Sequence, residues 1–205
     1  MGKVAYQVKT ERLLLRCYEP EDAPLLKAAV DSSLDHLRPW MPWAANEPEE
    51  VEKKIRRLRH FRAHFDLGKD FIYGVFAPDG SELWGSTGLQ PRAGDSSLEI
   101  GYWIRVEQIG KGFATELTKA LTRVAFEVNG VRRVDIQCDP ANVKSANIPH
   151  KLGFTHEGTL RARVRMPNGE RRGSMMWTML QDEYAESGVK TAVVEAYDLF
   201  GVRVL

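Results

Sequence analysis

The stretch SLEIGYWIRVEQIGKGFATELTKAL, residues 97–121, joins a strand to a helix through a glycine-rich turn. Leu98–Ile104 is rich in branched and aromatic residues, which is typical of a strand. Apolar residues then recur at helical spacing and predict a helix over residues 112–128. Gly110 and Gly112 lie between the two and permit a tight turn. The stretch therefore predicts a strand–turn–helix unit.

Six further strand-like runs lie on either side of this unit. They are Arg12–Cys17, Phe71–Ala77, Leu83–Leu89, Arg133–Cys138, Phe154–Arg163 and Ser174–Leu180. Helices are predicted from about Asp22, over residues 47–66 with Asn46 as N-cap, and over Asn142–Leu152. Three adjacent strands followed by alternating helices and strands indicate an α/β (α+β) fold with a mixed sheet. We expect a mostly antiparallel central sheet of about six to seven strands, flanked by helices.

The composition of the 205-residue chain is that of an ordinary globular protein, with 43% hydrophobic and 28% charged residues. We expect one domain over residues 1–205 with a core at about 9–180. The apolar tail, residues 182–205, is expected to pack on the domain or on a second copy in a homodimer. Cys17 and Cys138 lie far apart in apolar runs and are interpreted as buried thiols rather than a disulfide.

Charge and hydropathy exclude several classes of partner. The formal net charge of +1 gives no support for direct nucleic-acid binding. The chain contains no apolar run long enough to span a bilayer, and its start lacks the apolar run of a signal peptide. We therefore expect a cytoplasmic protein without a membrane partner. The histidines show no metal-ligand spacing with cysteines or carboxylates, so no metal is predicted.

The turn QIGKGFAT, residues 108–115, has the features of an anion site. N–H groups at the start of a helix lack intrahelical partners and, together with the helix dipole, favour a phosphate. One residue separates Gly110 from Gly112, whereas an ATP-binding P-loop has four residues between its glycines. A dinucleotide fingerprint requires a glycine where Thr115 stands. This stretch alone leaves two alternatives, a diphosphate site with Lys111 as its cation and a plain tight turn.

Other segments favour the anion site over the plain tight turn. SLEIGYWIRVEQIGKGFATELTKAL and DPANVKSANIPHKLGFTHEG, residues 139–158, resemble the GNAT family of acetyl-CoA-dependent N-acetyltransferases. Within that family they resemble the branch of ribosomal-protein N-terminal acetyltransferases, the RimJ/RimL-like proteins. TERLLLRCYEPEDAPLL at 10–26 and LRPWMPWA at 37–44 are also similar to that branch. The resemblance covers roughly residues 9–180.

The resemblance implies that the anion is the pyrophosphate of acetyl-CoA or coenzyme A. The family usually has Arg or Gln where this chain has Ile109, so the backbone and Lys111 would carry most of the contact. The pantetheine arm would pair with strand backbone in a gap where two parallel strands splay apart. The implied cofactor-binding residues are Trp103, Ile104, Arg105, Val106, Gly110, Lys111, Gly112, Phe113, Ala114, Thr115, Asn142 and Ser145.

The chemistry implied by the resemblance is direct attack of an amine on the thioester. Ser145 would donate a proton to the departing thiolate, and a strand N–H near Tyr102–Ile104 would polarise the carbonyl. Glu99 is the candidate base, and a structural salt bridge is its alternative role. An α-amino group, with a pKa of about 7.7–8.0, needs less help from a base than lysine at about 10.4. Asn142 is also consistent with a simple helix cap.

Two local expectations concern the same chemistry. Pro149 has no N–H and removes the helical bond to the Ser145 carbonyl, so a kink or early distortion of the helix is expected there. Neither cysteine is expected to lie near the motifs, and a cysteine nucleophile is unnecessary for direct transfer.

The acceptor side of the site is expected around the loop between the first two helices. Trp40 and Trp43 would form an aromatic wall for a peptide or a flat ring, or would simply pin the loop by packing. Tyr102 would face the acceptor or belong to the core, and Glu99 completes the candidate substrate-binding set. The basic run over residues 53–62 is interpreted as a solvated face or, if functional, as a site for an acidic protein tail.

These observations predict an acyltransferase, a GNAT N-acetyltransferase acting on a primary amine. The favoured acceptor is a protein or peptide N-terminal α-amine. A small-molecule amine, such as an antibiotic, a polyamine or a metabolite, is the alternative. A coenzyme A-binding protein without turnover is less favoured, because Gly110, Gly112, Asn142 and Ser145 are all present.

Overall fold

The computed structural model describes residues 4–91 and 96–205, and in that part of the chain a nine-stranded sheet is flanked by helices. The strands are β1 (Gln7–Lys9), β2 (Leu14–Cys17), β3 (Phe71–Phe76), β4 (Leu83–Gln90), β5 (Ser97–Ile104), β6 (Arg133–Cys138), β7 (Thr155–Arg165), β8 (Arg171–Leu180) and β9 (Glu195–Tyr197). The helices are α1 (Ala23–Asp31), α2 (Leu34–Leu37), α3 (Val51–Asp66), α4 (Phe113–Val124), α5 (Val143–Leu152) and α6 (Gln181–Glu186). None of the helices in the described ranges has the length and hydropathy that crossing a membrane requires.

The sheet order is β7-β8-β6-β5-β4-β3-β2-β1-β9. Neighbouring strands are antiparallel except for the parallel pair β5 and β6. The predicted mixed, mostly antiparallel sheet flanked by helices is confirmed, but the predicted number of strands is wrong. The two additional strands, β1 and β9, pair with each other and have three residues each, which is too short for an alternating pattern to be recognised.

The parallel strands β5 and β6 separate along their length. Their pairing ends at Ile100 and Ile136, although β5 continues to Ile104 and β6 continues to Cys138 beside β8. The edge of residues 101–104 that faces β6 is therefore left open. This divergence confirms the predicted gap between two parallel strands.

Adjacent residues of β5 face two different apolar clusters. Tyr102 packs against the larger cluster, which contains the apolar face of α4. Trp103 packs against the smaller cluster, which joins α1 and α3 to the sheet. Because side chains alternate along a strand, the open part of β5 is in contact with both layers of helices.

Helix α3 starts later than predicted. It begins at Val51 rather than near residue 47, and Asn46, the predicted N-cap, ends a 3₁₀ turn instead. Pro48 disfavours helical backbone at the residue before it, which delays the start of the helix. The loop predicted over residues 92–96 lies, apart from Ser96, outside the described residues.

Helix α5 continues through Pro149 to Leu152, so the proline does not interrupt the helix, and the kink expected there stays a prediction. The proline lies in the last turn, where few helical bonds remain to be broken. Gly153, with a φ of 82°, then closes the helix, and its N–H donates to the carbonyls of His150 and Pro149.

Candidate active site

A cavity of about 670 Å³ lies between the central strands and the loop that follows α2. Trp40 and Trp43, the predicted acceptor residues, line it together with Tyr102 and Trp103. The ring centroids of Trp43 and Trp103 are 6.1 Å apart, so the aromatic wall extends from the loop onto β5. A cavity of this size and lining is typical of a ligand-binding site.

Two hydroxyl groups meet in the lining of this cavity. Tyr102 Oη lies 3.0 Å from Ser145 Oγ and 3.5 Å from the Ser145 carbonyl oxygen. Burial raises the pKa of Tyr102 to about 12, although the hydrogen bond with Ser145 lowers it in part. The tyrosine therefore keeps its proton at neutral pH and remains a donor. Tyr102 takes part in both the core and the cavity, which the sequence had offered as alternatives.

Asn142 orients the helix that carries Ser145. Its Oδ1 accepts a hydrogen bond of 3.2 Å from the Ser145 backbone N–H, so Asn142 is the N-cap of α5. The capping interpretation is thus confirmed. Both residues also line the cavity, and the contact of Asn142 with the cofactor stays a prediction.

Cys138 lies next to Ser145, so the expectation that neither cysteine is near the motifs is wrong. The pairing of β6 beside β5 brings the end of β6 to the cavity. Burial raises the pKa of the Cys138 thiol, while hydrogen bonds with Trp177 and Ser145 lower it in part. A thiol with a raised pKa is a poor nucleophile, which agrees with direct transfer to the amine.

The glycine loop has the backbone geometry of an anion site. Gly110 and Gly112 have φ angles of 77° and 86°, and Gly112 is the N-cap of α4. A Cβ built on Gly110 would meet no atom within 4 Å, so a ligand can approach the backbone there. The N–H groups of the first turn, which contains Phe113, Ala114 and Thr115, have no partner within the helix. Lys111 Nζ donates to Gln108 Oε1 at 2.7 Å, which keeps its charge at the loop.

Arg12 is a residue of this loop region that sequence reasoning missed. Its guanidinium donates to the Lys111 carbonyl at 3.0 Å and forms an ion pair with Glu116 at 2.5 Å. It also lies 4.9 Å from the centre of the Phe113 ring. Only the pairing of β2 within the sheet brings residue 12 to a loop about 100 positions away, and no local pattern signals it.

Comparison with known proteins agrees with this geometry. Residues 12–155 match the family profile of the acetyltransferase (GNAT) domain. The chain belongs to the GNAT acetyltransferase family. It is 30% identical over 176 residues to YdaF of Bacillus subtilis (strain 168), a provisionally named ribosomal N-acetyltransferase, with 85% of this chain and 94% of YdaF covered.

Two further similarities concern enzymes named for ribosomal proteins. The chain is 26% identical over 157 residues to the [ribosomal protein uS5]-alanine N-acetyltransferase of Escherichia coli (strain K12), with 74% of this chain and 79% of that enzyme covered. The crystal structure of RimL, a ribosomal L7/L12 alpha-N-protein acetyltransferase in complex with coenzyme A, has a TM-score of 0.77. The alignment has 20% identity and covers 85% of this chain and 97% of RimL. At this identity the similarity shows a shared fold only.

The predicted acyltransferase activity and the predicted donor, acetyl-CoA, are thereby confirmed for this GNAT acetyltransferase. The residues present fit that donor. The open edge of residues 101–104 offers backbone groups to a pantetheine arm, and the start of α4 offers N–H groups to a pyrophosphate. The contacts of the individual residues from Trp103 to Thr115 stay predictions.

Three predicted cofactor residues of the GNAT enzyme have other partners as well. The backbone N–H of Arg105 donates to the Trp84 carbonyl at 2.7 Å, and that of Val106 donates to Ser33 Oγ at 3.0 Å. Trp103 lines the cavity. Pairing with a pantetheine arm would therefore use the backbone of Gly101–Ile104 more than these N–H groups.

Glu99, the candidate base, lies beside the cavity wall. Its Oε2 accepts a hydrogen bond of 2.7 Å from Gln137 Nε2, and the Gln137 side chain lines the cavity. The side chain of Gln137 thus lies between the Glu99 carboxylate and the cavity. Its catalytic role stays a prediction.

Part of the basic run of α3 forms ion pairs inside the GNAT enzyme. Lys54 and Glu47 form an ion pair in which both side chains are at most 1% exposed, and burial lowers the pKa of Lys54 although Glu47 opposes the change. Arg57 contacts Glu47 at 3.2 Å and Glu49 at 2.5 Å, and it lines the cavity. The solvated-face interpretation is therefore wrong for Lys54. These contacts hold the segment that follows Trp43 against α3.

A first prediction tests the glycine loop with two matched substitutions. Gly110 and Gly130 both have a positive φ, 77° and 70°, and both have open space at the Cβ position. Alanine at either site is expected to cost about 1–2 kcal/mol of folding stability, because an L-residue is strained there. Only Gly110→Ala is expected to weaken coenzyme A binding, by roughly tenfold in Kd, since only this backbone is predicted to contact the pyrophosphate.

Isothermal titration of coenzyme A into both variants measures this difference. Equal Kd values for Gly110→Ala and Gly130→Ala would contradict the assignment of the loop to the pyrophosphate.

Proposed function

We propose that this enzyme transfers the acetyl group of acetyl-CoA to the N-terminal α-amine of a protein or peptide. The observation that carries the proposal is a cavity of about 670 Å³ that contains both an aromatic wall and the Tyr102–Ser145 hydroxyl pair. A space of this size accommodates the first residues of a peptide with its amine at the hydroxyl pair. The names of the uS5 enzyme and of RimL, which refer to protein acceptors, support the same acceptor class.

An α-amine suits the groups around the reacting position. Ser145 Oγ contacts the Tyr102 hydroxyl and the Cys138 thiol, and none of these three groups is a strong base. With a pKa of about 7.7–8.0, an α-amine is roughly a tenth neutral at pH 7, whereas lysine at about 10.4 is almost wholly charged. An acceptor that is already partly neutral requires little proton removal by the enzyme.

Each residue then has a defined task. When bound, acetyl-CoA supplies the acetyl group as a thioester. Ser145 Oγ holds the proton that the departing sulfur receives, and the Tyr102 hydroxyl positions Ser145 Oγ through their 3.0 Å hydrogen bond. Glu99 accepts the proton of the amine through solvent. A backbone N–H within Tyr102–Ile104 polarises the carbonyl, and Trp40 and Trp43 flank the acceptor.

A small-molecule amine is the second candidate acceptor. The aromatic wall of Trp40, Trp43 and Trp103 favours it, because a flat ring stacks on indole rings as well as a peptide packs against them. The two candidates differ in the group that carries the amine, which is an extended peptide backbone in the first and a ring in the second.

The test combines acetyl-CoA with peptides and small amines and identifies the products by mass spectrometry. We expect acetylation of the α-amine in a peptide with a free N-terminus, and none in a matched peptide with a blocked N-terminus and one lysine. The rate is expected to rise with pH up to about 8 and then level off, because the neutral fraction of the amine saturates above its pKa.

Modification of aminoglycosides or polyamines without any peptide product would support the second candidate. Tight coenzyme A binding without turnover of any amine would contradict a catalytic role in acetyl transfer.

A further inference from the structure

Pro149 stands four residues after Ser145 in α5. In a regular helix the N–H of residue 149 donates to the carbonyl of residue 145, but proline has no N–H. The Ser145 carbonyl therefore lacks its usual helical donor. A carbonyl in a partly buried position gains from a substitute donor, because an unpaired polar group is unfavourable there.

Tyr102 is placed to be that donor. Its hydroxyl lies 3.5 Å from the Ser145 carbonyl oxygen and 3.0 Å from Ser145 Oγ, so it can donate to the carbonyl while it accepts from Ser145 Oγ. The ring of Tyr102 packs against the larger apolar cluster, which restricts where the hydroxyl can lie. The Tyr102 hydroxyl thus connects the carbonyl that lacks its helical donor in α5 to the hydroxyl pair of the cavity.

We propose that Pro149 is a positioning residue that keeps the Tyr102 hydroxyl at Ser145 by leaving the Ser145 carbonyl open to it. An N–H at position 149 would occupy this carbonyl and compete with the tyrosine. Tyr102 would then have one acceptor fewer and a wider range of orientations relative to Ser145 Oγ. The inference rests on the proposed function, in which this pair supplies the proton to the departing sulfur.

The decisive variant is Pro149→Ala, which restores the N–H. We expect kcat to fall about fivefold, since the net value of one hydrogen bond is small, while KM for acetyl-CoA and for the acceptor changes less than about twofold. The melting temperature is expected to stay equal or to rise by roughly 5 °C, because the helix regains a bond. Pro24→Ala is the control, since exposed Pro24 lies in the first turn of α1 and does not line the cavity.

A readout on the free enzyme tests the contact itself. In Pro149→Ala, we expect the backbone N–H introduced by the substitution to be protected from hydrogen exchange and the ring-carbon NMR signal next to the Tyr102 hydroxyl to shift. Neither change is expected for Pro24→Ala. Rapid exchange of the introduced N–H or an unchanged Tyr102 signal would overturn the proposal.

Pro149→Ala is also combined with Tyr102→Phe, so that its effect on kcat can be compared with and without the Tyr102 hydroxyl. If Pro149 acts through the tyrosine hydroxyl, adding Pro149→Ala to Tyr102→Phe should leave kcat unchanged. A further fivefold loss in that background would overturn the inference.

The failure of the inference and that of the proposed function are distinguishable. If Tyr102→Phe lowers kcat but Pro149→Ala does not, only the role of Pro149 fails. If the wild-type enzyme acetylates no peptide, the proposed acceptor fails, and the exchange and NMR measurements still decide the role of Pro149.

Discussion

Replacing Ser145 by alanine is expected to lower kcat about 100-fold, because a positioned proton donor contributes about 10²- to 10⁴-fold to rate. Tyr102 Oη cannot fully substitute, since its 3.0 Å contact is with the lost Oγ and its ring is held by the larger apolar cluster. The fold should be unchanged, because Asn142 caps the helix through the backbone N–H of residue 145, which alanine retains. Steady-state kinetics gives kcat, and calorimetry with coenzyme A checks that Kd changes by less than about threefold.

The matched control for this prediction is Ser187→Ala. The Ser187 hydroxyl also lies at a helix end and donates to a local carbonyl, that of Tyr184, but α6 is not part of the cavity lining. Its kcat should equal that of the wild type. A Ser145→Ala enzyme that retains at least a third of the wild-type kcat would remove Ser145 from the mechanism and leave Tyr102 as the donor.

Replacing Lys54 by methionine is expected to destabilise the enzyme by about 3–5 kcal/mol, because it leaves the buried Glu47 without its main cation. For a chain of this length the melting temperature should fall by roughly 10 °C. Part of the effect should reach the cavity, since Glu47 follows the loop that carries Trp43. We therefore also expect KM for the acceptor to rise more than KM for acetyl-CoA.

Two controls separate the buried ion pair from a general effect of the substitution. Lys53→Met removes an exposed charge next to Lys54 and should change stability by less than about 0.5 kcal/mol. The double variant Glu47→Gln and Lys54→Met removes both charges and should recover most of the loss, because no uncompensated charge remains buried. Equal unfolding transitions for Lys53→Met and Lys54→Met, measured in urea, would contradict the buried pair.

Predictability from sequence was highest where the decisive interactions are local. The cap at Asn142 depends on a side chain and an N–H three residues apart, and the glycine loop depends on Gly110 and Gly112 in one turn. Both were identified from their spacing. The predicted start of α3 near residue 47, with Asn46 as N-cap, is wrong although the cause, Pro48, is equally local.

Predictability was lowest where two distant segments complete one feature. Strand β1 pairs with β2 and strand β9 pairs with β1 at one side of the sheet, and three residues contain too little pattern to indicate either strand. The position of Cys138 beside Ser145 depends on how the end of β6 lies relative to α5. Arg12 reaches the glycine loop from β2's side of the sheet, about 100 residues away in sequence.

The amino-acid sequence by itself determined the strand–turn–helix unit and the mixed sheet, which follow from periodicity, glycine conformation and helix ends that act over a few residues. The acetyl donor followed from the resemblance of several segments to the GNAT family, and the anion site at the glycine loop stays a prediction. Only the tertiary structure decided that Tyr102 meets Ser145 in the lining of an aromatic cavity and that Lys54 is buried against Glu47. Such contacts depend on strand register and helix packing. They join residues that are far apart along the chain, and sequence separation does not indicate which of these residues are close in space.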